Sequence, residues 1–162
     1  MHLNEHVSTG IKELPRAKQL AIILGVGFVF LAMGRNFFWR LTDVNVDLIS
    51  VAYAIVDVLT AFYSALFFPL IILWYEFTNR LNDVLRSKGQ KPLSNQQTTH
   101  MLFFVSLRQD SVSKLTPELP AEISKDVCLL AAAYLGHKAS RTFAVLYLFL
   151  MAVIFIHIET TP

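Results

Sequence analysis

Apolar positions are almost continuous from Leu48 to Tyr75, where Asp57 is the one charged residue. As a helix, this run would extend about 42 Å at about 1.5 Å per residue, whereas the hydrocarbon core of a bilayer is about 30 Å thick. The pattern therefore predicts a transmembrane helix that tilts, kinks or continues beyond the lipid. Pro69 marks a candidate kink because proline removes one backbone donor.

Two other apolar runs predict two more spans, one on each side of the first along the chain. We place the three spans at residues 17–39, 46–76 and 141–158. The last contains about 17 apolar residues, which is near the minimum for crossing a bilayer. Because the link between the first two spans is short, we expect an antiparallel hairpin that turns near Leu41 and Thr42.

Helical spacing continues past the inner ends of the second and third spans. After Tyr75, apolar residues keep the period of a helix as far as Lys88, and Gly89 is a typical helix-ending signal. A second amphipathic segment begins at Pro120 and enters the third span with no breaker other than Gly136. The sequence thus predicts an all-α integral membrane protein with three transmembrane helices, the second and third extended into a cytoplasmic stem.

The remaining segments are assigned around this stem. Residues 77–140 are the predicted cytoplasmic stem and loop region, and residues 1–16 form an N-terminal cytoplasmic segment that is mobile or lies on the surface. Residues 91–99 have a composition typical of a loop. Residues 101–107 are apolar but too few to span a bilayer, and the sequence does not decide whether they form a helix or a loop. One face of the stem carries four apolar side chains that we interpret as a surface for a cytoplasmic partner: Phe77, Leu81, Val84 and Leu85.

The distribution of basic residues predicts the orientation. Only Arg35 and Arg40 lie on the side of the hairpin between the first two spans, whereas nine lysines and arginines lie between the second span and the start of the third. The positive-inside rule then puts the N-terminus and residues 77–140 in the cytoplasm and the C-terminus outside. We expect a multi-pass protein of a bacterial inner membrane.

Composition supports a membrane protein and removes several alternatives. Hydrophobic residues make up 54% of the 162-residue chain, and the mean hydropathy is +0.50, which is too apolar for an ordinary soluble domain. A formal net charge of +2 gives no reason to expect nucleic acid as a partner. The single cysteine, Cys128, excludes an internal disulfide.

Small residues recur at every fourth position through the third helix, a spacing that lets two helix backbones approach closely. This ladder is a predicted helix contact, and it fits either packing within one chain or association between copies. Gly25 and Gly27 in the first span are a second predicted contact, since the expected hairpin sets them level with Asp57. The members of the ladder are Ser124, Cys128, Ala132, Gly136, Ser140 and Ala144.

Asp57 is the most unusual residue of the spans, because a carboxylate within the bilayer costs about 2.5 kcal/mol or more. Aligning the second and third spans brings His157 near Thr60, one turn from Asp57, and these three side chains are candidates for a proton relay or a cation site. In the simpler alternative, Asp57 is protonated or hydrogen-bonds to Tyr53 or Thr60.

Two acidic residues close to the hairpin, Asp43 and Asp47, are four positions apart on one predicted helix face. They are better explained as partners of the helix dipole than as ligands of a divalent ion. We expect Arg40 to pair with Asp43, and Arg35 with Asp47, at the outer rim. No metal site and no cofactor are predicted.

Three functions are compatible with this pattern. The first is assembly, as a membrane anchor or sensor that forms a homo-oligomer or joins other subunits and presents the cytoplasmic stem to a partner. The alternative is an oligomeric pore for ions or protons that uses Asp57. A membrane enzyme or carrier ranks last, because the sequence contains no nucleophile elbow, phosphate loop or dinucleotide fingerprint.

Overall fold

A computed structural model describes residues 3–42, 48–107, 119–120 and 122–160. Within these residues the regular secondary structure is helical, and there is no β-strand. Three of the helices described there are long and apolar enough to cross a membrane. The predicted all-α, multi-pass membrane fold is confirmed at this level. Within the described residues the helices are α1 (Leu3–Glu13), α2 (Arg16–Thr42), α3 (Leu48–Ser87), α4 (Asn95–Leu107) and α5 (Val127–Thr160), and the three candidate spans are α2, α3 and α5.

The three long helices form an open layer with α3 in the middle. Phe30 of α2 meets Phe62 of α3 edge to face, with ring centroids 6.3 Å apart. On the other side of α3, the ring centroids of Tyr63 and Phe143 of α5 are 5.7 Å apart. Within the described residues, α2 and α5 make little or no contact with each other. The spans therefore leave broad apolar surfaces uncovered instead of closing into a bundle.

Buried side chains concentrate at one end of this layer, which we call the core end. Phe77, Leu73 and Leu129 are completely enclosed there, because α1, the second half of α3 and the first half of α5 pack together. Elsewhere large apolar side chains are exposed on α2, on the first half of α3 and on the second half of α5. We call this exposed surface the apolar belt. Lipid is its natural environment, since water would strongly disfavour a surface of this extent.

Helix α1 is part of the core end. Gly10 lies so close to α5 that an added Cβ would be 3.0 Å from the Cβ of Ala131 and 3.3 Å from Leu73 Cδ2. The expectation that residues 1–16 are mobile or lie on the surface is therefore wrong for residues 3–13. Pro15 ends α1, and the side-chain amide of Gln19 donates hydrogen bonds to the carbonyls of Lys12 and Leu14.

Helix α3 has nearly the extent that the sequence predicted. Gly89 has a positive φ of 70°, its N–H donates to Arg86 O, and the N–H of Gln90 donates to Leu85 O. These two bonds form a Schellman motif, in which glycine adopts the left-handed conformation at no steric cost. Pro69 is buried within the helix, which continues on both sides of it.

Helix α4 corrects the assignment of residues 91–99 as loop. Ser94 and Gln97 form a capping box: the Gln97 N–H donates to Ser94 Oγ at 3.3 Å, and the Ser94 N–H donates to Gln97 Oε1 at 2.9 Å. These bonds satisfy donors that a helix start would otherwise leave free. The helix therefore begins at Asn95, runs to Leu107 and packs on α5.

Helix α5 begins later than expected. The carboxylate of Asp126 accepts hydrogen bonds from the N–H groups of Cys128 at 2.8 Å and Leu129 at 3.4 Å, as an N-cap residue does. A separate turn precedes it, in which the N–H groups of Ile123 and Ser124 donate to Pro120 O. The predicted start at Pro120 is thus wrong, because the helix begins at Val127.

Candidate functional site

The charged groups of the core end meet at Arg80 of α3. Its guanidinium donates to Glu76 Oε1 at 3.3 Å, to Glu13 Oε2 at 3.3 Å and to Asp126 Oδ2 at 3.2 Å. Lys18 pairs with the second carboxylate oxygen of Glu76. One network thus joins α1, α2, α3 and the cap of α5, and it fixes the relative positions of the three spans.

The network is partly shielded from solvent. The side chains of Glu76 and Asp126 are 15% and 10% exposed, and that of Arg80 is 32% exposed. Ion pairs that share members and are partly buried contribute more than isolated surface pairs, and each partner is costly to remove alone. Lys18 also lies 5.1 Å from the ring centroid of Tyr75, an aromatic residue of the kind found at membrane interfaces.

The sequence did not predict this network. Glu76 and Arg80 are four residues apart in a predicted helix, which is a recognisable signal for an ion pair. Glu13 and Asp126 carried no such signal, because they are distant in sequence and reach Arg80 only when α1 and α5 pack on α3. A long-range contact of this kind is set by tertiary structure.

A separate ion pair connects the end of α3 with the turn that precedes α5. Lys88 Nζ donates to Glu122 Oε2 at 2.8 Å, and this hydrogen bond holds the pKa of the Glu122 carboxyl below its ordinary value. Both side chains are exposed, so the pair positions the turn before α5 without a large stabilisation.

Asp57 pairs with Arg40 at the opposite end of the layer. Arg40 Nε donates to Asp57 Oδ2 at 3.1 Å, and the guanidinium carbon lies 5.1 Å from the ring centroid of Tyr53. The expected rim partner of Arg40, Asp43, lies outside the described residues, as does Asp47. The Thr60 hydroxyl donates to its own helix, to Val56 O at 2.8 Å. His157 is exposed on α5.

The hairpin register differs from the predicted one. Gly25 packs on Phe68, since an added Cβ would be 3.1 Å from Phe68 Cδ1, and Gly27 has open space around it. Neither glycine accompanies Asp57. The turn was placed too early, because α2 continues to Thr42 and α3 begins only at Leu48.

The small-residue ladder divides into three parts. Cys128, Ala132 and Gly136 are buried within the chain, and Ser140 is half-buried. Ala144 is exposed in the apolar belt. The burial of the first helical members favours packing within one chain at that end of α5. Ser124 lies in the turn before α5 and does not belong to the helix face at all.

The apolar stripe of the predicted stem also faces inward. Phe77 and Leu81 are 0% and 1% exposed, and Val84 and Leu85 pack against the same core. The interpretation of these four residues as a partner surface is therefore corrected: Phe77 and Leu81 are buried within the chain, and Val84 and Leu85 are partly buried against the same core.

An uncovered groove lies between α2 and α3 in the apolar belt. Its volume is about 130 Å³, and a Cβ added to Gly34 would meet nothing within 4 Å. Two of its lining residues, Gly34 and Ala61, are small, and the others carry larger apolar side chains. The lining residues are Phe30, Met33, Gly34, Phe37, Val58, Ala61 and Phe62.

Within the described part of the chain, no three His, Cys, Asp or Glu side chains are grouped so that they could hold a metal ion. Comparisons with protein-family models, with curated proteins and with solved structures found no match.

Proposed function

We propose that this protein acts by assembly, as a membrane anchor subunit whose open layer receives a transmembrane helix from a second copy or another subunit. The observation that carries the proposal is the groove at Gly34. An apolar groove lined in part by small residues suits helix packing in lipid, where association depends on close backbone approach.

The core end supports this role by keeping the groove in place. Because the Arg80 network and the buried core join α1, α3 and α5, and Lys18 adds α2, the spans do not have to rearrange when a partner helix arrives. A preformed surface loses less conformational freedom on binding than a flexible one. We place the core end in the cytoplasm, because the lysines and arginines follow the positive-inside rule.

A cytoplasmic partner, if the assembly includes one, would contact surfaces other than the covered stripe. Exposed basic side chains remain available at the end of α3 and in the segment before α4, including Arg86 and Lys91. The proposed contact surface for a cytoplasmic partner is therefore basic and no longer includes the buried apolar stripe.

The proposal is tested by filling the groove. In Gly34→Leu, the new side chain has room in the isolated chain but occupies the volume that a partner helix needs. Ala21→Leu is the matched control, because it adds bulk at an exposed position of the same helix on a different face. Two differently tagged copies, and the other chains bound to them, are recovered from native lipid particles extracted with a polymer.

We expect Gly34→Leu to fold and insert normally but to lose its partner chains, and Ala21→Leu to retain them. Equal recovery of partner chains by both variants and the parent would contradict docking at this groove. Loss in both would show that bulk anywhere on α2 disturbs the assembly.

The pore alternative ranks lower. A single open layer encloses no channel, so conduction would need several copies, and Asp57 would have to leave Arg40 before it could bind a cation or carry a proton. Current through planar bilayers that contain the purified protein would restore this alternative.

A further inference from the structure

A larger groove lies on the other side of the molecule, between α1, α3 and α5. Its volume is about 640 Å³. Most of its surface is apolar, and its polar side-chain groups are two hydroxyls and two ammonium groups. The groove is lined by Val7, Ser8, Ile11, Lys12, Leu66, Tyr134, Leu135 and Lys138.

The two cations come from different helices. Lys12 is exposed on α1, and Lys138 is exposed on α5 with its Nζ 5.7 Å from the ring centroid of Tyr134. Among the described residues that line the groove, none is a carboxylate. The neighbouring acid of α1, Glu13, is paired with Arg80. The groove therefore combines an apolar trough with two lysines at its edge and no carboxylate in its described lining.

The position of the groove gives access to lipid. Lys138 and Arg141 directly precede the apolar part of α5, and Phe143 is already exposed in the apolar belt. Leu66 belongs to the apolar run of α3, and one turn away Tyr63 packs on Phe143. The positive edge thus lies where α5 enters the belt, and the trough continues towards the belt.

We propose that this groove binds one anionic glycerophospholipid. Its phosphate lies between Lys12 and Lys138, and an acyl chain lies along Leu66 and Ile11. Charge complementarity selects an anionic head group, and the apolar trough selects a molecule with a chain. Basic pockets between membrane helices commonly hold such lipids. This inference concerns a different surface from the α2–α3 groove and does not depend on the proposed assembly.

The test counts lipids bound to the full-length protein by native mass spectrometry. Detergent-purified protein is titrated with phosphatidylglycerol and, separately, with phosphatidylcholine of the same chains. The doubly substituted Lys12→Gln/Lys138→Gln is compared with Lys91→Gln/Lys125→Gln, which removes the same charge from exposed lysines outside the groove. We expect the first pair to weaken phosphatidylglycerol binding about ten-fold or more and the control pair to change it less than two-fold.

A third variant separates the trough from its charges. Ser8→Trp keeps both lysines but places a large ring at the groove, and we expect it to weaken phosphatidylglycerol binding as well. Glycerol 3-phosphate is added as a competitor that carries the head-group phosphate without chains. The proposal would be overturned by equal binding of the two lipids, by equal loss in both lysine pairs, or by full displacement with glycerol 3-phosphate at the concentration of the lipid.

Discussion

Arg80 links the helices of the core end through a single side chain. Replacing it with glutamine would leave Glu13, Glu76 and Asp126 close together without their shared cation. Since Glu76 and Asp126 are largely shielded, we expect Arg80→Gln to lower the free energy of unfolding by about 2–3 kcal/mol. Reversible unfolding in mixed detergent micelles measures this change.

Arg86→Gln is the control for that substitution. Arg86 lies on the same helix and pairs with Asp83 at 3.4 Å, but both side chains are more than half exposed. An exposed pair of this kind contributes little, so the expected change is below about 0.5 kcal/mol. Equal effects of Arg80→Gln and Arg86→Gln would mean that the network does not hold the helices together.

The Arg40–Asp57 pair is suited to a double-mutant cycle. Arg40 is 41% exposed, which allows its guanidinium to reach solvent when Asp57 becomes asparagine. We therefore expect Asp57→Asn to assemble normally, with a coupling of about 0.5–1 kcal/mol between Asp57→Asn and Arg40→Gln. An Asp57→Asn protein that assembles but has lost its cellular activity would favour the pore alternative.

The docking of α1 depends on the absence of a side chain at Gly10. In Gly10→Ala the new methyl group would lie 3.0 Å from Ala131 Cβ, so α1 must shift on α5. We expect this variant to be less stable by about 1 kcal/mol or more despite the better helix propensity of alanine. Gly27→Ala is the control, because its methyl group enters open space. Faster proteolysis of α1 in Gly10→Ala, and not in Gly27→Ala, is the expected result.

Helix ends show what the sequence could and could not specify. The end of α3 was predictable because Lys88–Gly89 carries a local signal that the Schellman motif uses. The start of α4 had an equally local signal, Ser94 followed by Gln97, but it was overlooked beside a loop-like composition. The start of α5 was ambiguous, since several residues before Val127 could cap a helix and only the ion pair of Asp126 with Arg80 favours that one.

The three spans could be predicted because bilayer thickness sets the length of an apolar run. The arrangement of the spans could not be predicted, because the hydrophobic periodicity alone does not say which apolar face packs on another helix and which contacts lipid or a partner. Phe77 and Leu81 illustrate this: their spacing defined a face correctly, but α1 and α5 cover it. The sequence showed that Asp57 needs a partner. It did not identify Arg40 as that partner, because the pairing depends on the register of the α2–α3 hairpin. The sequence located the turn of that hairpin only approximately.

The orientation of the whole molecule follows from its basic residues and can be measured directly. In a Cys128→Ser background, single cysteines at Thr42 and Ser94 occupy exposed positions at opposite ends of the layer. A membrane-impermeant maleimide applied from outside should label the cysteine at Thr42 and miss the one at Ser94. Labelling of Ser94 alone would invert the predicted topology, and equal labelling of both would contradict a single orientation.

The claim on which the account depends most is that the open layer has a partner in the membrane. The most direct measurement is the mass of the particle extracted from its native membrane with lipid, at native expression level, with the chains in it identified. We predict a particle that holds more than one 18.4 kDa chain, or this chain with another membrane protein. A homogeneous particle with one copy and no other chain would contradict the account.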